Sequence, residues 1–141
     1  MRVFLDANIL FSACRGAGAM RDLLQAKEAA GHTLVADAYV AIEARRNLAS
    51  KADEPSLLVL DALLDRIEVQ PRQPGAASLA ALDWLDSKDR PVLLAAIAAA
   101  CDVLVTGDKK HFGPAYGRRH EGVLVCSPAQ LFALLQQESD T

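Results

Sequence analysis

The chain has 141 residues, 52% of them hydrophobic, which fits one domain that buries a core without disulfides or a structural metal. No apolar run approaches the length of about 20 residues that a membrane-spanning helix needs, and a predicted strand begins without a charged leader before it, so we expect a cytoplasmic protein with no membrane contact. The formal net charge of -3 and the 5% aromatic content argue against a broadly basic or base-stacking nucleic-acid module. Any contact with nucleic acid should therefore depend on phosphates and shape.

Strand-like and helix-like segments alternate along the chain. In chain order, the first half predicts a strand at residues 3–5, a glycine-containing turn at 15–18, a helix at 19–30 ended by Gly31, a strand at 33–35 and a helix from its cap Asp37 to Ser50. The second half predicts a helix opened by Pro55, a strand at 67–69, a proline-containing loop at 70–75, helices at 79–85 and 91–101, a strand at 103–106, a basic loop at 113–122, a strand at 123–125 and a helix at 128–137.

This alternation favours a Rossmann-like α/β fold. We predict a three-layer α/β/α sandwich with a mostly parallel central sheet, in one domain over residues 1–137 with a frayed tail at 138–141. The segment at 91–101 is apolar around its whole circumference, which predicts a helix buried between the sheet and its neighbours. The three cysteines, Cys14, Cys101 and Cys126, lie in or beside apolar segments without C-x-x-C spacing, so we expect free thiols that pack as core residues.

Four carboxylates separated in sequence are candidates for one shared site. Asp6 and Asp108 directly follow predicted strands, Asp89 precedes the helix that leads into the second of these strands, and Glu43 lies on another helix. Each has an ordinary explanation as a turn, cap or surface residue. Because ligands of open α/β sheets bind beyond the carboxyl ends of the strands, we nevertheless expect the acids to meet there.

Clustered carboxylates repel one another unless a cation holds them together. Oxygen ligands favour Mg²⁺ or Mn²⁺, whereas the three histidines lack the spacing of a zinc site. Asn8 and Thr106 could position a water or a phosphate beside the ion. Arg15, Arg46 and Lys109 are candidate contacts to substrate phosphate, with solvated surface as the alternative.

Taken together, these residues resemble the PIN-domain nucleases and, within that family, the toxins of VapC type. The likeness spans nearly the whole chain and consists of Asp6-Ala7-Asn8, Glu43, Asp86-Ser87-Lys88-Asp89-Arg90 and Thr106-Gly107-Asp108. It implies a PIN-like fold and a Mg²⁺- or Mn²⁺-dependent ribonuclease whose ligands and catalytic residues are Asp6, Glu43, Asp89 and Asp108, with Asn8 and Thr106 assisting. The resemblance also implies a homodimer and a cognate antitoxin that covers the active groove.

Two details of the motif stay open. Many members of that family carry a further acid shortly after the last motif, where this chain has Lys109-Lys110-His111, so either one ion or two would fit. Asp86 and Asp89 both precede the buried helix. Asp89 is preferred because it lies next to the helix start that Pro91 sets, and Asp86 is the alternative.

The combined prediction is a metal-dependent endoribonuclease that hydrolyses RNA phosphodiesters, as the toxin of a toxin–antitoxin pair. The alternatives are a non-catalytic binding module of the same fold and a phosphohydrolase acting on a small phosphorylated molecule. An aspartyl-phosphate phosphatase is disfavoured because Asn8 stands where a second aspartate would be needed. The leucine-rich segment at 57–64 is a predicted dimer surface, with ordinary core packing as its alternative.

Overall fold

The computed structural model describes residues 1–15, 18–51, 53–71 and 82–139. The strands in these ranges are β1 Arg2–Leu5, β2 Thr33–Asp37, β3 Glu68–Gln70, β4 Val103–Val105, β5 Arg118–His120 and β6 Val123–Cys126. The helices are α1 Ala7–Cys14, α2 Ala19–Ala29, α3 Ala38–Ser50, α4 Glu54–Leu64, α5 Arg90–Ala98, α6 Lys109–Phe112 and α7 Pro128–Ser139, and a short 3-10 helix, Gly113–Ala115, follows α6.

The strands form one sheet in the order β3-β2-β1-β4-β6-β5, in which only β5 is antiparallel to its neighbour. β1 and β4 are adjacent, with Val3 opposite Val103 and Leu5 opposite Val105. From β1 the chain continues to β2 and β3 on one side, whereas from β4 it continues to β6 on the other. The strand order therefore reverses between β1 and β4, which is where α/β folds form a ligand crevice.

The core lies on both faces of the central strands. Val3, Phe4 and Leu5 in β1 are completely buried, and β4 is buried along its whole length. Consecutive buried residues in a strand require cover on both sides of the sheet. Helices α1 to α4 contact one another, α7 contacts α2, and α5 contacts β4. The predicted three-layer α/β/α sandwich with a mostly parallel sheet is confirmed.

Helix α5 ends earlier than predicted. It stops at Ala98, and the amide of Cys101 donates to the carbonyl of Ala96 while Ala100 adopts a left-handed φ of 55°. This is a Schellman-type end, which turns the chain directly into β4. The helix is also only partly buried: Val92, Leu93 and Ala96 are inside, whereas Ala98 is exposed.

Other local predictions need correction. Helix α1 was not predicted, although Asp6 caps it, and the predicted loop at 113–122 contains both the 3-10 helix and strand β5. Helix α7 continues through Ser139, where a frayed tail was expected from 138. Its Glu138 accepts a hydrogen bond from the buried Lys27 ammonium at 3.3 Å and contacts His32 Nε2 at 2.9 Å, which anchors this turn; residues 140–141 lie outside the described ranges.

The helix predicted at 79–85 falls partly outside the described residues. In the described part, residues 82–85 form a 3-10-like turn that buries Leu82 and Leu85. The three cysteines are free and buried, as predicted. Among the described residues, no helix is both long and apolar enough to cross a membrane.

Candidate metal centre

Asp6 lies at the carboxyl end of β1 and is only 7% exposed. Its amide continues the sheet ladder by donating to the carbonyl of Val105 at 3.1 Å. One carboxylate oxygen accepts from the Ala7 amide at 2.7 Å and so caps α1. The other accepts from the Thr106 hydroxyl at 2.8 Å and from the Asn8 side-chain amide at 3.3 Å.

Thr106 and Asn8 join the ends of the two central strands. The fully buried Thr106 hydroxyl, besides donating to Asp6, accepts from the amide of Asp108 at 3.1 Å. The side-chain oxygen Oδ1 of Asn8 accepts a hydrogen bond from the backbone amide of Gly107 at 2.7 Å. A side chain on Gly107 would begin 3.3 Å from that oxygen, so this position suits glycine. These contacts hold Asp6 and Asp108 beside each other, and Asn8 and Thr106 act as supports of the acids.

Asp108 caps the short helix α6 and contacts a histidine that the sequence interpretation had set aside. Its Oδ1 accepts from the amide of His111 at 3.2 Å, and its Oδ2 lies 2.7 Å from His111 Nδ1. The same nitrogen lies 3.6 Å from Oδ2 of Asp89. His111 therefore lies between two of the predicted acids.

Asp89 precedes α5, as the position of Pro91 predicted, yet its side chain does not cap the helix. Its Oδ2 is buried and has no hydrogen-bond partner among the described residues. Asp86 lies nearby, with its Oδ1 accepting from the amide of Lys88 at 3.1 Å. One ligand atom each from Asp86, Asp89 and His111 lie within 4.8 Å of one another. Asp86 and Asp89, which the sequence offered as alternatives, thus belong to one acidic cluster with His111.

The acids influence one another's ionisation. Burial raises the pKa of Asp6, and the charges of Glu43 on α3 and of Asp108 raise it further, against the lowering effect of the Thr106 hydrogen bond. Burial likewise raises the pKa of Asp89; the imidazole of His111 opposes this effect, and the charge of Asp108 adds to it. Glu43, partly buried on α3, is therefore close enough to Asp6 to act on it electrostatically.

The donor set fits a divalent cation. A buried carboxylate oxygen without a hydrogen-bond donor is costly unless a cation compensates it, and Asp89 Oδ2 is such an atom. The neighbouring groups are carboxylates, which suit Mg²⁺ and Mn²⁺, and one imidazole, which transition ions accept.

The predicted phosphate contacts have different surroundings. Arg15, at the far end of α1 from Asp6, pairs with Asp53 at 3.1 Å and lies over the ring of Phe11. Arg46 is exposed on α3, one turn after Glu43, and Lys109 is exposed directly after Asp108. Of the three predicted phosphate contacts, Arg46 is one helical turn from Glu43 and Lys109 directly follows Asp108, whereas Arg15 has no such position.

The fold and the cluster together define an acidic site at the strand-order reversal of an α/β sheet. A family model described as a PIN domain matches residues 2–110, and the chain belongs to that family. No protein of curated function matches the sequence.

Two solved structures share the fold. One is VapBC2 from Rickettsia felis bound to a DNA fragment from its promoter, with a TM-score of 0.65 and 18% identity over 90% of this chain and 98% of that chain. The other is VapC20 from Mycobacterium tuberculosis, a toxin that cleaves the sarcin–ricin loop, with a TM-score of 0.54 and 10% identity over 72% of this chain and 86% of that chain. At such identities the likeness concerns the fold.

Proposed function

We propose that this protein is a divalent-metal-dependent endoribonuclease that hydrolyses RNA phosphodiesters and acts as the toxin of a toxin–antitoxin pair. The observation that carries the proposal is the buried oxygen of Asp89 that accepts no hydrogen bond from the described residues, in a cluster with the strand-end acids Asp6 and Asp108. Membership of the PIN domain family supports the nuclease activity.

In this proposal Asp6, Asp89, Asp108 and Glu43 would hold Mg²⁺ or Mn²⁺, with the exposed Asp86 beside them. Such an ion, when bound, would supply an activated water and offset the charge on the leaving oxygen. Thr106 and Asn8 keep the carboxylate of Asp6 oriented through their hydrogen bonds.

The protein's remaining task is to position the RNA. Arg46 follows Glu43 by one helical turn, Lys109 directly follows Asp108, and both are exposed, so their cationic side chains are suited to bind the phosphates on either side of the cleaved bond. Such contacts carry no base preference, which agrees with the low aromatic content of the chain. We keep Arg15 as a weaker phosphate candidate because Asp53 already pairs with it.

The toxin role is supported by the two structural neighbours, one a VapBC2 assembly and the other a VapC toxin. By analogy with the VapBC2 assembly we propose a cognate antitoxin as partner. From the resemblance to VapC-type toxins we also propose a homodimeric state and a cytoplasmic location. Exposed apolar side chains, among them Leu58 on α4 at 70% exposure, offer contact area for such partners.

The test is cleavage by the purified chain of a structured RNA and of p-nitrophenyl phosphate, each with Mn²⁺, with Mg²⁺ and with a chelator. We expect metal-dependent internal cleavage of the RNA, and a loss of at least about 100-fold in Asp108→Asn, because a ligand change should cost at least as much as changes to groups that only orient ligands. Asp61→Asn is the matched control, since Asp61 is an exposed acid paired with Arg45.

Each other outcome contradicts the proposal in a specific way. Hydrolysis of p-nitrophenyl phosphate without RNA cleavage would indicate a small-molecule phosphohydrolase. Metal binding without any hydrolysis would indicate a non-catalytic binding module. RNA cleavage that persists in Asp108→Asn would remove Asp108 from the active site.

A further inference from the structure

His111 is the one side chain of the acidic cluster, within the described residues, that offers nitrogen instead of oxygen. It stands in the segment Lys109-Lys110-His111, where the chain carries no acid. Its Nδ1 lies 2.7 Å from Asp108 Oδ2 and 3.6 Å from Asp89 Oδ2. The imidazole therefore pairs closely with Asp108 and lies near Asp89, two of the proposed ligands.

The spacing of the cluster suits a common ion. One ligand atom each from Asp86, Asp89 and His111 lie within 4.8 Å of one another, and opposite ligands of a Mg²⁺-sized ion lie roughly 4.2 Å apart. Asp89 contributes a buried oxygen that accepts no hydrogen bond from the described residues. The same atom lies 3.6 Å from His111 Nδ1, too far for a hydrogen bond, so its negative charge is left for a cation to compensate.

Asp108, proposed above as a ligand through its carboxylate, also has the arrangement of a group that orients a ligating imidazole. When one ring nitrogen of a histidine donates to a carboxylate, the other carries the lone pair for a metal, and the carboxylate fixes the ring and raises its basicity. The contact of 2.7 Å between His111 Nδ1 and Asp108 Oδ2 has this geometry in the tautomer that carries its proton on Nδ1, which leaves Nε2 as the ligand atom. The α6 cap holds it in place, because the His111 amide donates to the other oxygen of Asp108.

We propose that His111 is a nitrogen ligand of the metal centre and that the site selects Mn²⁺ over Mg²⁺. This inference rests on the metal site of the proposed function and deepens it. Mg²⁺ binds oxygen ligands and retains its waters, whereas first-row transition ions accept imidazole together with carboxylates. A nitrogen ligand therefore raises the affinity for a transition ion such as Mn²⁺ relative to Mg²⁺, in a site whose carboxylates alone would accept both ions.

The first measurement is pulsed electron paramagnetic resonance of the full chain loaded with one equivalent of Mn²⁺. A coordinated imidazole couples its ¹⁴N nucleus to the Mn²⁺ spin, so we expect nitrogen modulation in the wild type and its loss in His111→Gln. His32→Gln is the matched control, because His32 also contacts a carboxylate, that of Glu138 at 2.9 Å, away from the acidic cluster. Its modulation should equal that of the wild type.

The second measurement compares the dissociation constants of Mn²⁺ and Mg²⁺ by calorimetry. We expect the ratio of the two affinities to fall by at least about tenfold in His111→Gln and to stay constant in His32→Gln. Melting curves without metal show whether His111→Gln is folded, and His111→Ala serves as the second variant if Gln disturbs α6.

The outcomes separate this inference from the proposed function. Nitrogen modulation that survives in both His111 variants, or an unchanged affinity ratio, overturns the role of His111 even when RNA is still cleaved. Loss of modulation and of selectivity in a chain that cleaves no RNA supports the ligand and refutes the nuclease.

Discussion

Replacing Thr106 by valine tests whether its hydroxyl holds the two strand ends together. The side chain is completely buried, its hydroxyl donates to Asp6 at 2.8 Å, and it accepts from the Asp108 amide at 3.1 Å. A hydrogen bond to a charged group contributes about 1.5–3 kcal/mol, and the Asp108 amide would also lose its acceptor. We therefore expect Thr106→Val to lower the free energy of unfolding by about 2–3 kcal/mol, or roughly 5–10 °C in melting temperature.

The assay is urea unfolding at pH 7, followed by circular dichroism and by the fluorescence of Trp84, the single tryptophan. Thr106→Ser is the control, because it keeps the hydroxyl and removes one methyl group, at a cost of about 1 kcal/mol. The Thr106 hydrogen bond lowers the pKa of Asp6, although burial raises it overall, so the effect of valine should shrink at acidic pH as Asp6 takes up its proton. The reasoning is refuted if valine is tolerated as well as serine at pH 7.

Three further predictions follow from the charges and thiols. Burial and the charges of Glu43 and Asp108 raise the pKa of Asp6, so its carboxyl group binds a proton more tightly in the native state than in the unfolded chain. The contribution of Asp6 to the free energy of unfolding of the metal-free wild type therefore falls as the pH rises from 3.8 through the raised pKa. In Asp6→Asn this loss is absent, so the stability of the variant relative to the wild type should rise across that window in urea titrations; a pH-independent difference would contradict it. Saturating Mn²⁺ should raise the melting temperatures of the wild type and of Asp61→Asn, because an ion at 100 times its dissociation constant adds about 2.7 kcal/mol to the free energy of unfolding. The shift should be much smaller in Asp108→Asn, and equal shifts in all three proteins would count against the site. Burial raises the pKa of each cysteine thiol to about 11, so iodoacetamide at pH 7 should modify the native protein only as fast as it unfolds, and rapid labelling without urea would show an exposed thiol.

The central fold was predictable because its strands are apolar and short and its helices have regular spacing. The same patterns placed Asp6 and Asp108 at the ends of parallel strands, and the sheet order brings these ends together. Asp89 was predictable from Pro91, which sets the start of α5. For these residues, local sequence and global topology point to the same location.

The missed elements depend on contacts that local patterns do not describe. Strand β5 consists of Arg118, Arg119 and His120, a poor strand sequence, and it forms because β6 offers an open edge for antiparallel pairing. Helix α1 had a signal in the sequence, since Ile9, Leu10 and Ala13 have helical spacing after the cap Asp6. Asp6 was interpreted as a site residue, with a turn residue as the alternative, and its role as the cap of α1 was overlooked.

His111 was missed because the histidines were compared with zinc-site spacings alone. The useful signal was its position three residues after Asp108, since residues at that spacing meet on one helical turn. Asp86 and Asp89 have the same spacing, and they were treated as alternatives although the structure brings both to the cluster. Distances between these elements become visible only when the sheet is assembled.

The most direct test of the metal centre is an anomalous difference map from crystals of the protein soaked with Mn²⁺. We predict a peak among the carboxylates of Asp6, Asp89 and Asp108, and its absence in crystals of Asp108→Asn. A map with no density among these acids at saturating Mn²⁺ would contradict the proposal that they act by holding a divalent ion.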